Sequence, residues 1–210
     1  MNESLDIAIF EWFATFLILA AVAAAVLKLR GRSRAVRGWI LWLCAIIPLF
    51  PYSGLFAFQY LLTIAGHISV TATLLLTAFV LREITGQSLW KRGERRLILA
   101  GVAVGSAVVL PATFGLTRYD GYQWGYGSLP FAIVLLLLLI AAAVFRRNLA
   151  FVTLAAAVAA FELHLLASNN LWDYLIDPSL TIVAFTVLIW NLVHSMSSKS
   201  SSTPSSAEIQ

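Results

Sequence analysis

Ionisable side chains stand inside long apolar runs of this sequence at His67, Glu162 and His164. Imidazole and carboxyl groups exchange protons, and an ionisable residue within an apolar span commonly marks a functional site. Glu162 and His164 cannot form one acid–base pair on a helix, because two residues turn the helix by about 200°. A charged Glu162 would cost roughly 2.5–3.5 kcal/mol at mid-membrane, so we expect it to be protonated, paired or open to water.

Polar residues accompany His67 along its apolar run. At helical spacing, four of them and Gly66 fall within about 40° of one face, with His67 at its edge: Gln59, Thr63, Gly66, Thr73 and Thr77. One interpretation is hydrogen bonding between helices, the usual role of such residues in membranes. The other is a polar path in which His67 accepts protons or binds a ligand.

Aromatic and charged residues also gather in two loops, here called the rim. They are Arg118, Tyr119, Asp120 and Trp124 in the first loop, and Trp172, Asp173, Tyr174 and Asp177 in the second. Tyr and Trp are typical of a membrane interface, but that explanation does not cover three Asp. The rim could instead hold a polar head group, with rings stacking on it and carboxylates binding hydroxyls or a cation. We expect Arg118 to pair with one carboxylate and tie the loops together.

The composition assigns the elements that position these residues to a membrane. The chain is 60% hydrophobic and 11% charged, whereas soluble domains average about 25% charged residues. We predict an all-α domain over residues 1–194 with seven transmembrane helices, followed by a disordered, Ser-rich cytoplasmic tail over residues 195–210. The apolar segments cover about residues 7–27, 38–50, 55–81, 97–116, 129–145, 149–167 and 179–193.

Basic residues set the predicted orientation. Thirteen of the fourteen Lys and Arg fall on one side of the seven segments, and Arg118 alone falls on the other. Since positive charge is retained in the cytoplasm, the N-terminus should be outside and the C-terminus inside. The short loops suit a bacterial inner membrane. The net charge of +4 thus reflects orientation, and we predict no nucleic-acid partner.

Two segments have unusual lengths. The segment at 38–50 would reach only ~20 Å as a helix, short of a ~30 Å hydrocarbon core, so it should be kinked, extended or re-entrant. The segment at 55–81 would reach ~40 Å and should tilt or project into the cytoplasm. Near the other end of the chain, Asp177-Pro178 predicts a helix start, with Asp as the N-cap and Pro at the first helical position.

Several cofactors are disfavoured. The lone Cys44 rules out an internal disulfide and a site of several thiolates, and the scattered His residues lack zinc spacing. His67 should lie ~18 Å below the outer start of its span, whereas His164 should lie ~6 Å below the outer end of its own, which disfavours a shared haem. Retinal would need a lysine in the seventh segment, which has none. We predict no metal, no cofactor and no catalytic residue.

The preferred function is a non-catalytic accessory, assembly or binding component. Its rim would contact the lipid bilayer, another membrane protein or a lipid head group. One alternative is a small transporter that uses His67 and Glu162 along an internal path, although no inverted repeat is visible. Another is an enzyme acting on a lipid-linked substrate at the outer face, with Asp120, Asp173 or Asp177 as acid or base, although no nucleophile–base set is visible.

The predicted orientation can be tested by thiol labelling in a Cys44→Ala background. The distribution of basic residues places the loops that contain Ser53 and Ser128 outside. Ser53→Cys and Ser128→Cys should therefore react with an impermeant reagent added to intact cells. Ser33→Cys and Ser88→Cys should react only after the membrane is permeabilised. Labelling of Ser88→Cys in intact cells would contradict the topology.

Overall fold

The computed structural model describes residues 3–27, 31–88, 90–118 and 120–200, which are mostly helical. The predicted all-α class is therefore confirmed. The helices are α1 (Glu3–Leu27), α2 (Arg34–Ile46), α3 (Ala57–Ala65), α4 (Val70–Thr85), α5 (Arg92–Thr113), α6 (Leu129–Val144), α7 (Asn148–Glu162), α8 (Leu171–Leu175) and α9 (Pro178–Ser200). The other described elements are 3₁₀ turns at Ile47–Leu49 and Gly121–Gly125, and an antiparallel hairpin of β1 (Pro51–Tyr52) and β2 (Leu55–Phe56).

The third apolar segment is not one helix, so the prediction of a single long span there is wrong. Gly66 ends α3 at φ 75°, ψ 175°, a conformation that glycine adopts without steric cost. Ser69 then starts α4, where its side chain accepts a hydrogen bond from the Ala72 N–H. A glycine that stops one helix and a serine that caps the next are sufficient to break the segment.

The second segment is also shorter than a full span. Helix α2 ends at Ile46 and passes into the 3₁₀ turn that contains Pro48. The hairpin follows, with Ser53 and Gly54 both at positive φ in its two-residue turn, as a tight hairpin requires. The Trp12 indole N–H donates to the Ala45 carbonyl at 2.9 Å and ties the end of α2 to α1.

Small residues fill the places where helices pack most closely. Ala20, Ala157 and Ala184 are completely buried, and such residues let helix backbones approach one another. Helix α1 packs on α2, α3 and α4; α5 packs on α7 and α9; α6 packs mainly on α7. Gly105 on α5 is buried, and a Cβ at that position would lie 2.5 Å from the Ile176 side chain.

One described helix, Ser4–Leu27, is long and apolar enough to cross a membrane by its length and composition. The apolar helices at Leu129–Val144, Asn148–Glu162 and Pro178–His194 are shorter. Helix α9 continues to Ser200, past the predicted end of the helical domain at residue 194. Residues 201–210 of the predicted tail lie outside the described residues.

Asp177 joins the starts of α4 and α9. As predicted, it caps α9, where its Oδ1 accepts the Leu180 N–H at 2.7 Å. Its Oδ2 accepts the Ser69 N–H at 3.0 Å and the Ser69 hydroxyl at 2.6 Å. Only 4% of Asp177 is exposed, so one buried carboxylate holds two helix N-termini together.

Asp177→Ala should lower the free energy of unfolding in detergent by about 3 kcal/mol or more, because it removes a cap and leaves buried donors unpaired. Asp120→Ala is the matched control. Asp120 accepts one backbone N–H, from Tyr122 at 3.0 Å, at a less buried position, so the expected loss is about 1 kcal/mol. Equal losses in the two variants would contradict the joint role of Asp177.

Candidate functional site

Asn170 lies at the centre of the rim, in the loop between α7 and α9. Tyr119 of the other rim loop falls outside the described residues. Asn170 is fully buried. Its amide Nδ2 donates to the Tyr122 carbonyl at 2.9 Å, and its Oδ1 accepts the Trp172 N–H at 2.9 Å. Gly125 packs directly on it, since a Cβ there would lie 1.7 Å from Asn170 Oδ1. Position 125 therefore requires glycine, because the Asn170 side chain leaves no room for a Cβ atom.

The two aromatic residues of α8 reinforce this junction. The Trp172 indole N–H donates to the Gly121 carbonyl at 3.1 Å, and its ring packs on Phe131 with centroids 4.5 Å apart. Tyr174 is completely buried, and its hydroxyl lies 3.1 Å from the Leu166 carbonyl and accepts the Leu166 N–H at 3.2 Å. Burial raises the pKa of the Tyr174 phenol.

Asp173 forms the most polar part of the rim. Its Oδ2 accepts hydrogen bonds from the Tyr122 hydroxyl at 2.9 Å and from the Ser168 hydroxyl at 2.5 Å. Burial, the contact with Asp173 and the neighbouring Tyr126 phenol raise the pKa of Tyr122. The Tyr122 phenol donates its single O–H to this carboxylate. The Tyr126 ring stands edge-on to that of Tyr122, with centroids 5.7 Å apart.

The three rim carboxylates make different kinds of contact. Asp120 caps the 3₁₀ turn through Tyr122, Asp173 receives two hydroxyls, and Asp177 lies in the α4–α9 junction. Within the described ranges, no three His, Cys, Asp or Glu side chains are grouped so that they could hold a metal ion. These carboxylates cap helix N-termini or join separate segments of the chain through hydrogen bonds.

Arg118 does not tie the loops as expected. It is exposed, and the ion pairs formed among the described residues do not include it. The loops are joined instead by uncharged donors on Asn170, Trp172 and Tyr122. The exposed surface of the first loop includes Trp124, which is 38% exposed, and Tyr126, which is 60% exposed.

His67 pairs with a residue that the sequence analysis missed. Its Nδ1 lies 3.2 Å from the Glu11 carboxylate, with the His67 side chain 62% exposed and that of Glu11 17% exposed. A carboxylate within the apolar run of α1 was the available signal, since such a group needs a partner or water. Ser69 caps α4 and bonds to Asp177 at the start of α9, so His67 lies near that level. The ~18 Å depth assumed a continuous helix, and the helix is interrupted between Ala65 and Val70.

The predicted polar face around His67 bonds mainly to its own backbone. Gln59 accepts the Phe56 N–H at 2.8 Å, and Thr63 donates to the Gln59 carbonyl at 2.9 Å. Thr73 similarly donates to the Ser69 carbonyl at 3.0 Å. A hydroxyl contact between helices occurs elsewhere, where Ser106 of α5 and Thr181 of α9 lie 2.8 Å apart.

Glu162 and His164 lie at the end of α7. Glu162 is its last residue, and both side chains are exposed. His164 has φ 51°, a left-handed conformation common just after a helix. No contact joins either residue to His67 in the described part of the chain, so the structure does not bring the candidate transport residues together.

Comparison of the chain with protein-family models, curated proteins and solved structures finds no match.

Asn170→Ala should speed hydrogen exchange of residues 121–128 by roughly tenfold or more, because it leaves buried donor and acceptor groups unpaired at about 1–3 kcal/mol. Arg118→Ala should leave that exchange unchanged. The neighbouring Asn169, which is exposed, provides the matched control Asn169→Ala. Faster exchange in Arg118→Ala than in Asn170→Ala would restore the ion pair as the tie.

Proposed function

We propose that this protein is a seven-span integral membrane protein of the bacterial inner membrane, with its N-terminus outside and its C-terminus in the cytoplasm. Its function is that of a non-catalytic accessory, assembly or binding component. The rim is the contact surface, and the partner is a lipid head group or another membrane protein.

Exposed apolar side chains support the membrane assignment. Leu136 and Leu137 on α6 are 56% and 59% exposed, and Ile182 and Ile189 on α9 are 67% and 59% exposed. Extensive exposure of large apolar side chains is unfavourable in water. Contact with lipid acyl chains would avoid this unfavourable exposure, because acyl chains are as apolar as the side chains.

The charge distribution supports the orientation. The segments on the rim side contain one basic and seven acidic residues, whereas those on the opposite side contain thirteen basic and three acidic residues. The folded chain links rim-side groups across elements: Glu11 contacts His67, and Ser69 two residues later bonds to Asp177. Since basic loops stay in the cytoplasm, the rim would face outward.

The observation that carries the functional proposal is the internal use of the rim's polar groups. Both Asp177 oxygens accept hydrogen bonds, and Asn170 and Tyr174 are fully buried. These contacts make a rigid support, while the rings of Trp124 and Tyr126 remain exposed on it. Rigid aromatic side chains with one polar end are characteristic anchors of binding surfaces.

The contact surface can be tested with a photo-crosslinking amino acid placed at Tyr126 in native membranes. Because the ring is exposed on a pinned loop, we expect a discrete adduct, either a protein or a head-group-specific lipid. Leu137, exposed on α6, provides the control and should give only acyl-chain adducts. The same adducts at both positions would contradict a contact surface at the rim.

A further inference from the structure

We propose that the rim binds a phospholipid head group bearing a primary ammonium ion, through Tyr126, Tyr122 and Asp173. This inference rests on the proposed membrane function and names the ligand of the same surface. The argument follows from the direction of the hydrogen bonds, the local charge and the exposed ring.

The hydrogen-bond donors of this cluster point inward. A carboxylate accepts hydrogen bonds and does not donate, so the hydroxyls of Tyr122 and Ser168 both direct their hydrogens at Asp173 Oδ2. Both of these hydrogen bonds reach the same oxygen, Oδ2. The acceptors that remain for a ligand are Asp173 Oδ1 and the phenol lone pairs. A ligand that supplies donors is therefore complementary to the cluster.

The negative charge of the rim favours a ligand whose donor group is an ammonium ion over one whose donor is a neutral hydroxyl. Arg118 is the one Lys or Arg in the rim sequence, against the carboxylates of Asp120, Asp173 and Asp177. A negative potential of this kind attracts cations and disfavours anionic head groups. A primary ammonium carries three N–H donors and no acceptor, which matches a surface that offers acceptors.

The Tyr126 ring supplies the second contact. It is 60% exposed, and it packs nearly perpendicular to the ring of Tyr122, whose hydroxyl donates to Asp173. A cation over the face of an aromatic ring is attracted by the ring quadrupole. A quaternary ammonium would keep this attraction but has no N–H to donate, so the geometry favours ethanolamine over choline head groups.

The test compares lipids retained by the full chain in nanodiscs that contain equal amounts of ethanolamine and choline phospholipids with the same acyl chains. Native mass spectrometry after mild detergent release should show ethanolamine lipid retained over choline lipid by roughly tenfold, the factor expected from one hydrogen bond to a charged group. Tyr126→Phe removes a hydroxyl at an exposed position and should reduce this preference. Tyr52→Phe removes the hydroxyl of a tyrosine in the hairpin that is 68% exposed, and it should leave the preference unchanged.

Asp173→Asn should abolish the preference, because it removes the charge while keeping the side-chain shape. Retention of the two lipids in their bulk ratio by wild type, or an unchanged preference in both Tyr126→Phe and Asp173→Asn, would overturn the inference.

If the crosslink at position 126 instead maps to a lysine of a protein, the occupant is a protein. The lipid assignment would then be wrong and the proposed function would stand. Thiol labelling that places the rim on the cytoplasmic side of the membrane would refute the proposed function itself.

Discussion

The carboxylate of Asp177 accepts hydrogen bonds from the starts of two helices, and the arrangement around the rim depends on this contact. Ser69 and Leu180 belong to segments more than a hundred residues apart, yet their N–H groups bond to the two oxygens of one buried side chain. Helix N-termini favour negative charge because their first N–H groups lack partners within the helix. A single carboxylate can therefore satisfy both helices and set their relative level.

Uncharged hydrogen bonds, rather than an ion pair, join the two rim segments. An exposed Arg–Asp pair contributes only about 0–1 kcal/mol, because water solvates both partners. A buried amide such as Asn170 must find partners, since leaving it unpaired costs about 1–3 kcal/mol. The close packing of Gly125 on Asn170 makes this junction geometrically specific as well. Arg118 is thus left exposed, and the charged part of the rim is centred on Asp173.

The breaks in the helices explain why polar groups gather at one end of the bundle. Helix α4 begins after the Gly66–Ser69 link and α9 begins after Ile176–Asp177, and Asp177 holds the two breaks together. Non-helical backbone exposes N–H and C=O groups, which must be satisfied by protein or water. Ser69 and Asp177 supply those partners for α4 and α9. The same link also brings His67 to the Glu11 carboxylate.

The helical class, the helix start at Asp177-Pro178 and the asymmetry of basic residues could all be determined from the sequence, because they depend on composition and local residue patterns. The break at Gly66–Ser69 also had local signals, but the apolar character of residues 55–81 outweighed them in the sequence analysis. Tertiary structure decided the partners: Ser69 for Asp177, Glu11 for His67, and Tyr122 for both Asn170 and Asp173. Such partners come from distant segments, and their choice depends on which surfaces packing brings together. Charge counting favoured Arg118 as the tie, whereas burial selected Asn170.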